Sequence, residues 1–442
     1  MKLGVITPVG PGHEGAYEAC RQSVLDAWAY QQGPFTELEL LPMWDLKGES
    51  GRSRRRNDGI AAAIEKGCDW LFFLDADDLM YAQAFEEAAP YLGGYDAVWG
   101  NICEMPYGQF DLVRLRGGQL QATEKLDDIL KTDPFLTLQM GHFVRAACAR
   151  DVGFDVSMHT GEDFRYYLQI CARYRFIKAA CILFINQRGA HSQGPLAADG
   201  AQWREAVQAE IRRVAEERQL VAEVELEGRR ARFRIANPFD TVQKALCRGQ
   251  FFEQKELLVL QQQVGPQKTI VEVGANIGNH VVFYAQHMNP VRIYPFEPNP
   301  VSVALLEENI RLNGIEGLID RRGIGFGLGA AQKNYRVVQN DPNNLGAARL
   351  EEGGTGGDIA VRRLDDLLPT EHADFIKIDA EGMEFEVLAG AAQLIRRCRP
   401  LIYVEVWNAA IPTLDTWLTD HQYQTLAEVK AVRAINRLVG PC

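Results

Sequence analysis

Short apolar runs alternate with amphipathic stretches along the first half of the chain. Residues 17–30 and 58–66 repeat apolar positions at helical spacing. The apolar runs of strand length are residues 3–7, 38–41, 70–74, 95–99 and 182–185. Because strands that alternate with helices favour a parallel sheet covered by helices, the pattern predicts an α/β fold.

The second half repeats this alternation after a polar segment. Residues 189–200 are rich in Gly, Ala, Ser and Pro, and a charged helix is predicted at 201–219 as a connector. Gly228 separates two short strand-like runs and predicts a hairpin. The later predicted strands are 269–273, 292–296, 375–379 and 400–406. We therefore predict two α/β domains, residues 1–200 and 221–442, joined by a helical linker at 201–220.

The composition is that of a globular protein. The 442 residues include 47 basic and 59 acidic side chains, and the net charge of −12 disfavours nucleic acid as a partner. No apolar run approaches 18 residues and the N-terminal segment lacks a signal-peptide core, so we expect a cytoplasmic protein without a membrane span. Nine irregularly spaced cysteines without a C-x-x-C pair indicate free thiols.

Three carboxylates follow the apolar run at 70–74, namely Asp75, Asp77 and Asp78. Ligands of parallel sheets bind at the carboxyl ends of strands, and neighbouring carboxylates repel each other unless a cation compensates them. One interpretation is a divalent cation that also neutralises a diphosphate. The other is an N-cap for a following helix. The spacing alone leaves both interpretations open.

Two further polar segments indicate a ligand site in the first half. Arg56 and Asn57 belong to an arginine-rich stretch at a predicted helix start, where backbone N–H groups and guanidinium groups bind anions. Glu162 and Asp163 stand at the beginning of an amphipathic helix.

In their order and spacing, these motifs of residues 1–195 resemble an inverting family-2 glycosyltransferase of the GT-A fold. The matching strings are Ile6-Thr7-Pro8, Arg56-Asn57-x-Gly59-Ile60, Asp75-x-Asp77-Asp78 and Gly161-Glu162-Asp163. The resemblance implies a nucleotide-sugar donor of the UDP or GDP type. The residues implied to hold this donor are Thr7, Pro8, Arg56, Asn57, Asp75 and Asp77.

The same resemblance implies the chemistry of the transfer. Asp163 would be the general base that deprotonates the acceptor hydroxyl, with Glu162 beside it as a further catalytic carboxylate. Such enzymes use Mn²⁺ or Mg²⁺, and the implied ligands are Asp75, Asp77 and His191. For His191 a loop histidine without a role is the alternative, and Arg188 in the same segment is a candidate for a phosphate contact.

A glycine-rich turn follows the strand predicted at 269–273. Gly274 and Gly278 do not form the G-x-G-x-x-G fingerprint, which counts against a dehydrogenase, and Glu272 precedes them. An acid there suits a cationic ligand with an amino group, such as S-adenosylmethionine. Glu297 ends the next strand, where an acid commonly accepts hydrogen bonds from ribose hydroxyls. A tight turn and a charged turn without a ligand are the alternatives.

A third cluster, Lys377, Asp379 and Glu381, ends the strand predicted at 375–379, where a transferred methyl group would meet its acceptor. Asp379 or Glu381 is the candidate base, and Lys377 is a candidate to lower the pKa of the acceptor hydroxyl. A structural network among the three is the alternative, and the two interpretations are compatible.

The run from 223 to 407 closely resembles the FkbM-type methyltransferase family, whose members are S-adenosylmethionine-dependent O-methyltransferases. This implies a Rossmann-like class I domain. The residues implied to line or enclose the cofactor are Glu272, Gly274, Asn276, Gly278, Glu297, Asn299, Phe252 and Glu253. The residues implied to face the acceptor are Lys377, Asp379, Glu381 and Glu405.

Together the two resemblances predict a bifunctional enzyme. It would transfer a sugar and methylate a hydroxyl of a glycan or another acceptor, in the synthesis of a polysaccharide. The alternative is a methyltransferase whose first half only binds a glycan or a nucleotide-sugar.

Overall fold

The computed structural model describes residues 1–188, 200–339, 341–353, 357–430 and 432–442. The chain divides into two compact units, Met1–Arg218 and Gln219–Cys442. Each unit is a mixed α/β fold, so the predicted fold class of two α/β domains is confirmed.

The described residues of the first unit form one eight-stranded sheet in the order β2-β1-β3-β7-β5-β8-β4, with β6 paired to β5. Its strands are β1 (Lys2–Val9), β2 (Glu37–Trp44), β3 (Trp70–Phe73), β4 (Leu79–Met80), β5 (Ala97–Pro106), β6 (Arg114–Leu115), β7 (His142–Arg145) and β8 (Phe176–Arg188). Its helices are α1 (Glu14–Tyr30), α2 (Gly51–Glu65), α3 (Ala84–Ala88), α4 (Leu126–Lys131), α5 (Ala146–Val152), α6 (Glu162–Arg173) and α7 (Gly200–Glu217).

The parallel part of this sheet, β2, β1 and β3, carries the predicted donor motifs. Every side chain of β3 is buried, as expected for a strand covered on both faces. Helix α2 begins seven residues before the predicted position, because the Asp45 carboxylate accepts hydrogen bonds from the N–H groups of Ser50 and Gly51. Gly59 lets α2 approach β1, since a Cβ there would lie 2.5 Å from Ile6.

The helix predicted as a connector, α7, packs within the first unit. Trp203, Val207 and Ile211 on α7 are buried, and the Trp203 ring lies edge-on to Phe164 at 6.3 Å. Gly161 is needed at this contact, because its φ is +76° and a Cβ would lie 3.1 Å from the Cβ of Ala206 on α7. The apolar face of α7 therefore explains why it belongs to the fold of the first unit.

The second unit contains a six-stranded sheet in the order β12-β11-β17-β18-β20-β19, of which the first four strands are parallel. The strands of the unit are β9 (Val221–Leu226), β10 (Arg229–Arg234), β11 (Thr269–Val273), β12 (Arg292–Phe296), β13 (Gly327–Leu328), β14 (Lys333–Val338), β15 (Arg349–Glu352), β16 (Ile359–Arg362), β17 (Phe375–Ile378), β18 (Leu401–Trp407), β19 (Tyr423–Lys430) and β20 (Ala434–Pro441). The helices are α8 (Thr241–Cys247), α9 (Gln254–Val264), α10 (Asn279–His287), α11 (Pro300–Leu312), α12 (Leu364–Leu367), α13 (Glu384–Gly390), α14 (Ala392–Cys398) and α15 (Ile411–His421).

Two smaller sheets accompany the main sheet of the second unit. Strands β9 and β10 form the predicted hairpin around Gly228. Strands β13, β16, β14 and β15 form a separate sheet that the sequence pattern did not predict.

The nine cysteines are free thiols, six of them buried, two half-buried, and Cys442 exposed. Burial raises the pKa of the Cys148 thiol to about 11 and that of Cys181 to about 12. Across the described ranges, no helix has the length and apolar character that crossing a membrane requires.

Candidate functional site

A cavity of about 790 Å³ opens beside the carboxyl ends of β1 and β3 in the first unit. This volume lies within the range of small-molecule sites. The lining side chains that the sequence analysis singled out are Pro8, Arg56, Asp75, Asp77, Asp78, Glu162, Asp163 and Arg188. Two distant segments, α2 and the start of α6, are therefore brought to the same edge of the sheet as the three aspartates.

Arg56 is the buried centre of this edge. Only 3% of its surface is exposed, and its guanidinium contacts Asp75 Oδ1 at 2.7 Å and Glu162 Oε1 at 3.3 Å. Arg52, one turn earlier on α2, contacts Glu162 Oε1 at 2.5 Å and Oε2 at 3.1 Å. Glu162 is thus held between two arginines, which makes it a positioning residue that ties α2 to α6.

Asp163 is the other carboxylate of α6 and lines the cavity. Burial and the neighbouring Glu162 raise the pKa of Asp163 to about 6, and Arg52 and Arg56 limit this rise. A carboxylate with a pKa near 6 is still ionised at neutral pH and is a stronger base than an exposed aspartate. Its place in the cavity and its pKa suit it to accept a proton from a bound hydroxyl.

The three aspartates after β3 diverge. Asp75 pairs with Arg56, and Asp78 accepts hydrogen bonds from Asn186 Nδ2 at 3.0 Å and from the Gln187 backbone N–H at 2.9 Å. Burial, Asp77 and Asp75 hold the pKa of Asp78 well above its ordinary value. Asp77 lines the cavity, with Oδ2 at 4.0 Å from His13 Nε2.

This divergence bears on the expected metal ion. Across the part of the chain that the structure describes, no three His, Cys, Asp or Glu side chains converge as a metal site. Of the expected ligands, Asp75 and Asp77 line the cavity and His191 lies outside the described residues. The described chain therefore offers two carboxylates, which fit a cation only when a bound diphosphate and water complete its coordination.

Two other predicted donor residues lie behind the cavity surface. Thr7 is buried and its hydroxyl contacts the Cys20 thiol. The Asn57 amide donates to the carbonyl of Phe154 and accepts from its N–H, both at 2.8 Å. Neither is among the described residues that line the cavity, so each supports the cavity wall from behind.

In the second unit, a smaller cavity of about 90 Å³ lies at the carboxyl ends of β11, β12 and β17. Its lining includes Gly274, Asn276, Glu297, Asn299, Asp379 and Glu381 from the predicted set. It also includes residues that sequence reasoning missed, namely Phe326, Val337, Leu345, Gly346, Ala348 and Leu350. Phe326 directly precedes β13, and the others come from β14, β15 and the segment between them, where the sequence signal was the turn-forming Asp341, Pro342, Asn343, Asn344 and Gly346.

The turn after β11 is shaped by backbone constraints. Gly274 has φ of +81°, and a Cβ there would lie 2.0 Å from the Asp379 carbonyl oxygen. Glu297 accepts hydrogen bonds from the N–H groups of Asn276 at 2.7 Å and Asn299 at 2.8 Å. Burial raises the pKa of Glu297 to about 7, although these N–H groups lower it. The carboxyl group is thereby fixed at the cavity, where it can bond hydroxyls.

Glu272, predicted to line the cofactor, lies instead in a buried charge network. Its Oε1 is 3.2 Å from His280 Nδ1 and 3.5 Å from Lys377 Nζ. The network continues from His280 Nε2 to Glu253 at 3.3 Å and from Lys377 to Asp379 at 3.1 Å. Five charged side chains therefore connect the start of α9 to the cavity.

The pKa values follow from this network. Burial and the charge of Lys377 lower the pKa of His280, but the hydrogen bonds that its ring donates to the carboxylates of Glu253 and Glu272 outweigh them and raise it to about 9. Burial likewise opposes the charge of Lys377, but Asp379 and Glu272 outweigh it and raise the Lys377 pKa. Both cations are charged at neutral pH.

Other predicted residues surround the network. Burial and the Asp379 charge raise the pKa of Glu381 to about 7 and that of Glu405 to about 8. Phe252 exchanges backbone hydrogen bonds with the Asn279 amide at 3.0 Å. Gly278 serves packing, since a Cβ there would lie 2.7 Å from Leu306. Phe252, Glu253, Gly278 and Lys377 are not among the described residues that line the cavity.

Comparison with known proteins identifies the second unit. The family profile of the methyltransferase FkbM domain matches residues 272–425. Methyltransferase sdnD of Sordaria araneosa is 27% identical over 191 residues, which cover 34% of this chain and 71% of that protein. Hexuronic acid methyltransferase AglP of Haloferax volcanii is 26% identical over 220 residues, which cover 48% of this chain and 83% of that protein.

The solved structures include S. aureus TarS 1–349 in complex with UDP-GlcNAc. The superposition has a TM-score of 0.36 and 16% sequence identity. It covers 48% of this chain and 66% of that chain, just under two thirds of its length. A similarity this low assigns no activity to the first unit.

Proposed function

We propose that this chain is an enzyme with two activities. The second unit, in which residues 272–425 match the FkbM methyltransferase domain, methylates a hydroxyl group with S-adenosylmethionine. The first unit transfers a sugar. The methyl acceptor is a glycan, an inference supported by the similarity to a methyltransferase named for hexuronic acid. The sugar donor is a nucleotide-sugar of the UDP or GDP type. The observation that supports sugar transfer is Asp163, a cavity carboxylate with a pKa of about 6 beside arginines and aspartates.

The residues of the second unit fit the cofactor. S-adenosylmethionine supplies a methyl group activated by a sulfonium. Glu297, which accepts hydrogen bonds from the N–H groups of Asn276 and Asn299, would also accept them from ribose hydroxyls, and Gly274 keeps the wall beside Asp379 free of a side chain. At about 90 Å³, this cavity is smaller than the roughly 300 Å³ at the low end of ligand sites.

Methyl transfer then depends on Asp379, which lies in the cavity and is oriented by Lys377. Asp379 would accept the proton of the acceptor hydroxyl as that oxygen bonds to the methyl carbon and the bond from the methyl carbon to the sulfonium sulfur breaks, which leaves a neutral thioether. Lys377 holds the negative charge of Asp379 in place, and the Glu272 and His280 network keeps Lys377 there.

In the first unit, Asp163 accepts the proton of the acceptor hydroxyl while that oxygen attacks the sugar carbon on the face opposite the nucleotide, as in an inverting transfer. Arg52 and Arg56 hold Glu162, and through it the start of α6, in the position that aims Asp163 into the cavity. Mn²⁺ or Mg²⁺ would neutralise the diphosphate, and Asp75 and Asp77 are the residues that would hold it.

Calorimetric titration tests the donor site. UDP, GDP, dTDP and CDP are titrated into the full chain with and without Mn²⁺. The same titrations are made with the Asp77→Asn variant. S-adenosylhomocysteine is titrated into each sample to test whether the second unit is folded. We expect one nucleotide to bind in a Mn²⁺-dependent manner and Asp77→Asn to lose that binding. If no nucleotide binds while S-adenosylhomocysteine does, sugar transfer by the first unit is wrong.

The alternative is that the first unit binds a nucleotide-sugar or glycan without turnover. Asp163→Asn separates the two ideas, because a general base affects turnover and a binding residue affects affinity. Sugar transfer that is lost in Asp163→Asn with unchanged nucleotide affinity supports the enzyme. Nucleotide binding without any release of sugar or nucleotide by the wild type supports the alternative.

A further inference from the structure

Two further arginines, Arg116 and Arg188, line the first-unit cavity in addition to Arg52, Arg55 and Arg56. Among the described residues, Arg114, Arg116 and Arg188 all contact the carboxylate of Glu104. The distances from Glu104 are 3.3 Å to Arg114 Nη2, 2.9 Å to Arg116 Nε and 2.7 Å to Arg188 Nη2. Three positive charges thus share one negative charge, whereas Arg52 and Arg56 are matched by Glu162 and Asp75.

Strand pairing brings these side chains together. Glu104 on β5 pairs with Arg114 on β6, and the neighbouring β8 ends at Arg188. Arg116 follows β6, and its N–H donates to the carbonyl of Ile102 on β5. Strand pairing therefore positions the backbone that carries the cluster.

Phe135 fixes the two arginines that face the cavity. The guanidinium carbon of Arg116 lies 3.9 Å from the Phe135 ring centroid, and that of Arg188 lies 5.1 Å from it. Arg116 Nη1 also donates to the Phe135 carbonyl at 2.7 Å. All three residues line the cavity.

Arg116 retains unused hydrogen-bonding capacity. Its side chain is 5% exposed, and within the described ranges its Nη2 is buried without a hydrogen-bond acceptor. A buried guanidinium nitrogen without an acceptor is costly. Burial, followed by the charge of Arg188, lowers the pKa of Arg116, as expected where positive charge exceeds its compensation.

We propose that Arg116 and Arg188, held by Glu104 and Phe135, form an anion subsite that takes a phosphate or carboxylate group of the cavity's ligand. The excess positive charge and the unpaired Nη2 are satisfied together by one bound oxyanion. The group comes either from the acceptor or from the diphosphate of the donor. This inference deepens the proposed sugar transfer and rests on it for the identity of the ligand, but anion binding itself does not require turnover.

The first test uses two simple anions and the full chain. Binding of methyl phosphate is followed by ³¹P line broadening, and binding of methyl glucuronoside is compared with neutral methyl glucoside by ligand-observed proton NMR. We expect at least one anion to bind, with Arg188→Gln weakening its affinity about ten- to hundredfold, the loss of a charged hydrogen bond. Arg173→Gln is the matched control and is expected to keep the affinity, because Arg173 is 51% exposed, pairs with Asp151 and is not among the described residues that line the cavity.

Loss of fold is tested separately. Arg188→Lys keeps the charge and is expected to lower the affinity for the anion less than Arg188→Gln does. S-adenosylhomocysteine binding and the melting temperature report whether each sample is folded. The inference is overturned if neither anion binds the wild type, or if Arg188→Gln binds as tightly as the wild type.

Saturation with the nucleotide that binds the cavity identifies the source of the anion. If the anion still binds in the presence of UDP, the subsite takes a group of the acceptor. If UDP displaces the anion, and Arg188→Gln lowers the affinity for UDP but not that for uridine, the subsite takes the donor diphosphate. Anion binding without any nucleotide binding leaves the subsite standing while the proposed sugar transfer fails, so the two failures are distinguishable.

Discussion

Lys377 Nζ lies 3.1 Å from the carboxylate of Asp379, and the two side chains meet at the end of β17 beside the second-unit cavity. We predict that Asp379→Asn lowers the rate of methyl transfer by about 10²- to 10⁴-fold, since it removes the proton acceptor while preserving shape. The measurement is the formation of S-adenosylhomocysteine, with cofactor affinity measured in parallel.

The matched control for this variant is Asp366→Asn. Asp366 is in the same unit, its side chain is 61% exposed, and its partner is Arg363 at 3.6 Å. It is expected to leave the rate unchanged. A full rate in Asp379→Asn would show that proton transfer does not depend on this carboxylate.

The stability of the second unit should depend on the protonation of His280. Its folded-state pKa is about 9 against an ordinary value of 6.5, so the protonated form stabilises the fold. This stabilisation is complete below pH 6.5 and is lost as pH rises through 9. We predict that the free energy of unfolding decreases by on the order of 3 kcal/mol across that window. The measurement is thermal unfolding at a series of pH values in the absence of S-adenosylhomocysteine.

His280→Gln should remove the part of this pH dependence that extends above pH 8, because the raised pKa of Glu405, about 8, accounts for part of the loss at lower pH. His372→Gln serves as the control, because His372 is 63% exposed and pairs only at the surface with Asp374 in the described structure. A wild-type melting temperature that stays constant from pH 6.5 to 9 would contradict the prediction.

Sugar transfer should decline on acidification with the pKa of Asp163. Its pKa of about 6 is above the ordinary aspartate value, so protonation removes the base as pH falls through 6. We predict about a tenfold loss of rate per pH unit below 6. Because the raised pKa also means that ionised Asp163 destabilises the fold, Asp163→Asn should melt at the same or a higher temperature at pH 7.

Asp151→Asn is the control for this profile. Asp151 is 57% exposed and contacts Arg173 and Tyr174 away from the cavity lining. A wild-type rate that stays flat down to pH 5 would argue that another group takes the proton.

Glu162→Gln should destabilise the first unit. It leaves Arg56, which is 3% exposed, and the half-buried Arg52 without their shared carboxylate. Removing one partner of a buried ion pair costs about 3 kcal/mol or more. Glu217→Gln, which removes an exposed partner of Arg213 on α7, should cost less than about 1 kcal/mol. Equal melting temperatures for the two variants would refute the buried role of Glu162.

Gly274→Ala should abolish cofactor binding. The new Cβ would lie 2.0 Å from the Asp379 carbonyl oxygen at φ of +81°, so the turn and β17 must separate. We expect S-adenosylhomocysteine affinity to be lost and stability to fall by about 2 kcal/mol or more. At Gly317 a Cβ would meet nothing within 4 Å, so the Gly317→Ala variant should bind S-adenosylhomocysteine with unchanged affinity. Unchanged affinity in Gly274→Ala would contradict this account of the turn.

The ends of strands were the part of the site most accessible from the sequence. Asp75, Glu297 and Asp379 each follow an apolar run, and the alternation of strands with helices brings such ends to one edge of a sheet. Their neighbours in sequence were harder to assign. Glu272 and Asp379 both lie near turns, yet the first is buried in a charge network and the second lines the cavity.

Long-range pairing explains what the sequence could not predict. Nothing local indicates that Glu162 meets two arginines on α2, since they are more than 100 residues apart. The strands β14 and β15 are largely polar and exposed, so their alternation of apolar and polar residues is weak. The segment between them covers the second-unit cavity and is held by long-range contacts, such as the hydrogen bond from the Leu345 N–H to Asp240.

The distribution of the nine thiols has a practical consequence for labelling. Cys442 is exposed while six cysteines are buried and two are half-buried, and burial raises the thiol pKa at Cys148 and Cys181. Because maleimide reagents react with accessible thiolates, a short treatment at neutral pH should place one fluorophore at Cys442. The unaltered chain can thus be attached or observed as a single molecule through the second unit, without introducing or removing a cysteine.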